Sequence, residues 1–300
     1  MKRTLLALAA IFVLCTSIFA QAVAPNIPVD DNVKVGKLPN GLTYYIRHNE
    51  WPEKRAFFYI AQKVGSVQEE DNQRGLAHFL EHMCFNGTTH FPGDNLKKYL
   101  ESIGVKFGEN LNAYTSFDET VYNIDNVNVE TPRAIDSCLL ILHDWSHDLT
   151  LEDKEIDKER GVINEEWRMR SSAMMRMYEK AFPVIYKDSK YAYRLPIGTV
   201  DVVMNFPHKA IRDYYKKWYR PDLQSIVIVG DVDVEEMVKK IETMFADIKP
   251  APADAAPLEY FQVPDNAEPI GTINKDKEQD RTLFYLMWKT DAYPREEKNN

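Results

Sequence analysis

The sequence predicts an α+β fold, a mainly antiparallel sheet packed with helices. Some short stretches alternate apolar and polar residues, the period of a half-buried strand, and longer ones repeat apolar residues at helical spacing. Their order along the chain is strands, helices, strands, helices. With 44% hydrophobic and 28% charged residues, the chain has the balance of a globular protein with a substantial core. Its 300 residues suffice for one large domain or two ordinary ones.

The elements follow in order. LPNGLTYYIRHNE turns at Asn40-Gly41 and enters a strand through Leu42, Tyr44 and Ile46. RAFFYIAQKVGS is a second strand, ending near Gly65-Ser66. A helix is expected from about Arg74 to Phe85, stopped by Asn86-Gly87, and a short one from Asn95 to Ile103, ending at Gly104. NLNAYTSFDETVYNIDNV gives two strands with a break near Ser116 to Glu119. Pro132 opens a helix with Ile135, Cys138, Leu139, Leu142 and Trp145 on one face. From Glu152 one long charged helix is expected to reach Phe182. Pro207 to Trp218 and Val234 to Phe245 are further helices, flanking the buried strand SIVIVGDV. PAPADAAP, residues 250 to 257, is an irregular connector, after which IGTINKDK and RTLFYLMWK are strand-like.

The N-terminus is a separate matter. A basic Met1-Lys2-Arg3, an apolar run from Leu5 to Leu14 and the small-x-small Ala20-Gln21-Ala22 describe an export signal over residues 1–22. That run is too short for a stable membrane span, and no later segment could cross a bilayer. The expected location is therefore periplasmic or secreted. A net charge of −9 argues against nucleic acid as a partner. The aromatic stretch DYYKKWYRPD reads as helix-end packing. Cys84 and Cys138 read as small buried hydrophobes rather than a disulfide. The chain reads as the N-terminal piece of something longer.

The chemistry lies in GLAHFLEHMCFNGT. His78 and His82 stand four apart, one helical turn, so their imidazoles can converge on one ion. Catalytic zinc takes three protein ligands and leaves a fourth position open, with a nearby carboxylate to accept a proton from water. Glu81 fits that second role, in an H-x-x-E-H order. Leu76, Phe79, Leu80 and Met83 interleave with the histidines and predict a partly buried helix. A second pair, His143 and His147 in HDWSH, has no glutamate in the base position and reads as a solvated edge. For the third ligand, Glu159, Val162, Ile163 and Glu166 share one stripe of the helix DKERGVINEEWRMR. A carboxylate on an otherwise apolar stripe needs a partner, which favours Glu166 as ligand and Glu159 as its supporting carboxylate. Spacing alone leaves Glu165 as a rival.

LPNGLTYYI, VGSVQE, GLAHFLEHMCFNGT, NLNAYTSFDETVY, ERGVINEEW and YRPDLQSIVIVGDVD, in this order, resemble the pitrilysin/insulinase family of zinc peptidases, the inverzincins. The resemblance covers nearly the whole mature chain. It implies Glu166 as zinc ligand, Glu159 behind it, and one Zn²⁺ per catalytic domain. It further implies Glu81 as general base activating a zinc-bound water. The His82-to-Glu166 separation is somewhat longer than in the best-known members, with the extra residues placed between about Val127 and Asp153. NLNAYTS is implied to be an exposed sheet edge that a peptide substrate joins as an added strand, at Asn112 and Ala113. Family members close as a clamshell of two halves built from related α+β domains, which implies residues 23–265 as the catalytic domain, 266–300 as the start of a second, related one, and as partners peptides and a second half, on the same chain or a separate subunit. The expected function is a zinc-dependent endopeptidase acting on peptides or short unfolded polypeptides. The alternative is a non-catalytic relative serving as a binding or scaffold subunit.

Overall fold

The structure, a computed structural model, describes residues 30–289. The export signal and the end of the second expected domain fall outside the described residues. Two compact units divide between Val33 and Lys34, and apart from Val33 every residue described here in detail belongs to the second.

Among the described residues six strands form one sheet in the order β1-β2-β6-β3-β5-β4. They are β1 (Val33–Lys37), β2 (Thr43–His48), β3 (Arg55–Gln62), β4 (Leu111–Thr115), β5 (Thr120–Asn128) and β6 (Gln224–Gly230). β3 runs antiparallel to both β5 and β6, and β4 antiparallel to β5, whereas β2 and β6 are parallel. The sheet is thus mostly antiparallel. β6 returns late in the chain and inserts between β2 and β3, which suits a strand whose Ile226 and Ile228 are fully buried. Strict alternation sends Ala56, Phe58 and Ile60 of β3 to the same core as Tyr122 and Ile124 of β5. β4 is an outer strand of the sheet.

Eight α-helices accompany the sheet among the described residues: α1 (Leu76–Met83), α2 (Asn95–Ser102), α3 (Pro132–His147), α4 (Asp153–Arg170), α5 (Ala173–Ile185), α6 (Val200–Asn205), α7 (His208–Trp218) and α8 (Val234–Met244). α3 packs on β3 and β5, α8 on β2, and α1 on β4, β5 and α4. Trp145 of α3 stacks near Phe85 and Tyr122 and donates its indole N–H to the Cys84 carbonyl at 2.9 Å. The end of α1 is thereby fixed against the core. Cys84 and Cys138 are both buried and free.

Three expectations need correction. The long helix from Glu152 to Phe182 is two helices, because Ser172 caps α5 by accepting from the Met175 N–H at 3.3 Å, which stops α4 at Arg170. The strand-like stretches IGTINKDK and RTLFYLMWK carry no strand among the described residues. A strand exists only with a ladder partner, and Ile273, Phe284 and Trp288 stand exposed. The solvated edge assigned to HDWSH holds for His147 alone, since His143 is only 4% exposed. One strand, β1, was not anticipated by the alternation pattern.

Candidate metal centre

α1 is short, and its entry is tightly specified. Gly75 precedes it at φ +107°, a left-handed conformation that favours glycine, and a Cβ there would meet Val203 Cγ2 at 2.9 Å. The buried Glu69 carboxylate accepts from the Gly75 and Ala77 N–H groups at 3.0 and 2.8 Å, satisfying donors that the first turn leaves open. Burial pushes the Glu69 carboxyl up to about 8, against the pull of these two N–H groups and of Arg194. Its part in orienting the helix was not read from the sequence, although VGSVQE contains it.

One turn of α1 presents His78 and His82 together, ring centroids 4.7 Å apart. Glu166 comes from α4, which packs across α1. Its Oε2 lies 3.4 Å from His78 Nε2 and 3.4 Å from His82 Nε2. Each of the three residues offers a ligand atom, and these atoms all lie within 4.8 Å of one another. Donors on a tetrahedron with zinc bonds of ~2.0–2.1 Å sit roughly 3.3 Å apart, so the two spacings to Glu166 match that geometry. Two nitrogens and one carboxylate oxygen are also the donor set of a catalytic zinc with one position left open. The residues therefore fit the ion.

The surroundings hold these groups in place. His82 Nδ1–H donates to Glu159 Oε1 at 2.8 Å, and Asn86 donates to the other oxygen of Glu159 at 2.6 Å. Such a contact fixes the imidazole so that Nε2 faces the site. Arg170, four residues beyond Glu166, pairs with its Oε1 at 2.6 Å. Glu81 is buried at 8% exposure and accepts a hydrogen bond from the Thr115 hydroxyl at 2.6 Å. Glu165 is exposed and pairs with Arg168 at 2.8 Å, outside the cluster. Val162, placed on the same stripe as Glu166 by spacing, is 48% exposed, so the buried stripe is narrower than the sequence suggested. Sequence reasoning missed Thr115, Asn86 and Arg170 as supports. Only Arg170 carried a signal, its i,i+4 spacing from Glu166.

Burial and neighbouring charge push the groups of this centre in opposite directions. Burial, then the neighbouring His82, holds the His78 imidazole well below its usual range. Burial also works against a charged His82, but Glu159 and Glu166 outweigh it and raise this imidazole to about 9. Burial opposes the Glu166 charge too, yet His82, His78 and Arg170 prevail and hold its carboxyl low. Burial raises the Glu81 carboxyl against the Thr115 hydrogen bond and His82, with the Glu166 charge adding to the rise. A proton on His82 thus supplies positive charge that the surrounding carboxylates favour. A divalent cation supplies more, and its binding releases that proton. Glu159→Ala is expected to weaken zinc affinity by about 10–100-fold, read by competition with a chromogenic chelator.

Asn112 and Ala113 lie on the outer strand β4, opposite Asn123 and Tyr122 of β5. Thr115, at the end of β4, and Arg170 also line a cleft of about 110 Å³ with Trp167, Met175, Leu195 and Ile197.

A family profile described as Insulinase (Peptidase family M16) matches residues 46–188, and one described as Peptidase M16 inactive domain matches residues 205–299. The chain is 36% identical over 239 residues to a protein of Haemophilus influenzae named probable zinc protease PqqL, covering 80% of this chain and 26% of that one. It is 39% identical over 234 residues to the zinc protease PQQL-like of Arabidopsis thaliana, covering 78% and 24%. The solved first half of the periplasmic protease PqqL from Escherichia coli superposes with a TM-score of 0.75 at 34% identity, covering 80% of this chain and 51% of that one. The chain spans about a quarter of the length of these curated relatives. Two profiles of one peptidase family, matched in succession over a fold shared with its solved members, make this chain a member of the insulinase family, M16.

Proposed function

We propose that this chain carries the catalytic centre of a zinc-dependent endopeptidase acting on peptides or short unfolded polypeptides. The observation that carries the reading is the convergence of His78, His82 and Glu166 beside a buried carboxylate, Glu81, on the same helix. His78, His82 and Glu166 hold the zinc. When bound, zinc supplies Lewis-acid activation of water and of the scissile carbonyl. Glu81 takes a proton from the attacking water and returns it to the leaving amine. Thr115 holds one Glu81 oxygen in a fixed direction, leaving the other for that transfer. Glu159 orients His82, and Arg170 steadies Glu166.

A peptide adds to the free edge of β4 at Asn112 and Ala113 through main-chain hydrogen bonds, which bind strongly while reading side chains loosely. Residues 23–265 serve as the catalytic domain, and the stretch from 266 opens a related domain that needs the rest of the polypeptide, or another subunit, to close over substrate. The periplasm is the proposed site of action, by analogy with the periplasmic relative and with the export signal read from the sequence. Among the described residues, no helix is long and apolar enough to cross a membrane.

The experiment is zinc content and peptide turnover measured together on the full-length protein. Turnover that is abolished by a chelator and restored by zinc is expected. A zinc-loaded protein that binds peptides without cleaving them identifies the scaffold subunit instead.

A further inference from the structure

A second group of metal-ligating side chains gathers where the chain leaves α1. The loop after Gly87 is pinned to the end of α3: Thr89 N–H donates to the Asp148 carbonyl at 2.9 Å, and Thr88 bridges to Leu149. His90 Nδ1 lies 2.7 Å from Asp144 Oδ1, and His90 N–H donates to Asp144 Oδ2 at 3.1 Å. Thr88 Oγ also donates to Oδ2. His90, Asp144 and Asp148 each offer a ligand atom within 4.8 Å of the others. Asp144 is fully buried. Asp148, one turn on, brings a second carboxylate to a helix C-terminus, where the backbone already favours positive charge.

An independent observation points to a ligand here. His143 is 4% exposed, and its Nδ1 is a buried atom without a hydrogen bond. That nitrogen faces the group, 3.3 Å from Asp148 Oδ2 and 3.7 Å from Asp144 Oδ1. The opposite nitrogen, Nε2, lies 3.0 Å from Asp247 Oδ1. A carboxylate that fixes one imidazole nitrogen and aims the other inward is the arrangement Glu159 makes with His82 in the first centre.

We propose that His90, Asp144 and Asp148 form a second divalent-cation site beside His143, structural in role, which fastens the 87–91 loop to the end of α3. An imidazole and two carboxylates suit zinc or manganese, and the two carboxylate charges balance a dication. By holding the loop that follows α1, the ion stiffens the far end of the helix that bears His78 and His82.

The test uses full-length protein and Zn²⁺ as probe, in the His82→Ala background so that the first centre contributes nothing. Metal content after gel filtration and titration by calorimetry are the readouts, with Co²⁺ absorption reporting coordination. About one tightly held zinc per chain is expected in His82→Ala. It should be lost when His90→Ala and Asp148→Asn are added. Both of these side chains are partly exposed, at 47% and 31%, so the fold should survive. The tetrahedral Co²⁺ bands should vanish in the same variant. No tight zinc in His82→Ala overturns the proposal and leaves an imidazolium among carboxylates. Zinc that persists undiminished in the triple variant overturns it equally, as adventitious binding elsewhere. Neither result bears on the peptidase reading, which is judged by turnover.

Discussion

Glu81→Gln in the full-length protein is expected to keep its zinc and to lose peptide hydrolysis by roughly 10²–10⁴-fold, the share that a positioned acid–base group contributes. The amide has the shape of the carboxylate and can still meet the Thr115 hydroxyl, so the local packing around α1 should hold. What it lacks is an oxygen basic enough to take a proton. The burial that raises the Glu81 carboxyl brings its proton affinity nearer to that of a base working around neutral pH. The measurement is kcat/KM on a fluorogenic peptide beside metal analysis of the same sample. Turnover at the wild-type rate with zinc intact would remove Glu81 from the mechanism.

His82→Ala is expected to lose the zinc of this centre, and hydrolysis with it. His82 is tied on both sides, with Nδ1 on Glu159 and Nε2 facing Glu166. Its removal takes away one of three donors and leaves two carboxylates without the positive charge they surround. Glu159 keeps its Asn86 hydrogen bond, so the stability loss should fall short of the ~3–5 kcal/mol typical of a fully orphaned buried charge. Equilibrium dialysis and a denaturant titration read the two effects separately. Zinc still held by His78 and Glu166 at wild-type affinity would point to a different ligand set.

Much of the centre was legible because its geometry is local. His78, Glu81 and His82 share one turn, so their relation follows from helical spacing alone. Glu166 was legible for a weaker reason, as a carboxylate on a stripe with buried Ile163; the structure brings it beside the two histidines, while Val162 of the same stripe is exposed. Asn112 and Ala113 do lie at a sheet edge, an arrangement that only the resemblance implied.

What could not be read depends on distant contacts. His143 is buried because Phe245 packs on its ring and Asp247 meets its Nε2, both about a hundred residues away. Thr115 reaches Glu81 only because β4 pairs with β5 and lies against α1. The break at Ser171-Ser172 was present in the sequence as a capping serine, but the charged pattern around it runs on without a change of period. The strand-like stretches after residue 266 have apolar residues in plenty and no neighbouring strand among the described residues.

Anomalous diffraction at the zinc edge, from crystals of the full-length protein, locates the ion directly. A peak bonded to Nε2 of His78, Nε2 of His82 and the Glu166 carboxylate, with Glu81 beside it and unbonded, is the expected result. A zinc-loaded, active protein whose catalytic ion is held by other residues, with these three side chains apart, would contradict it.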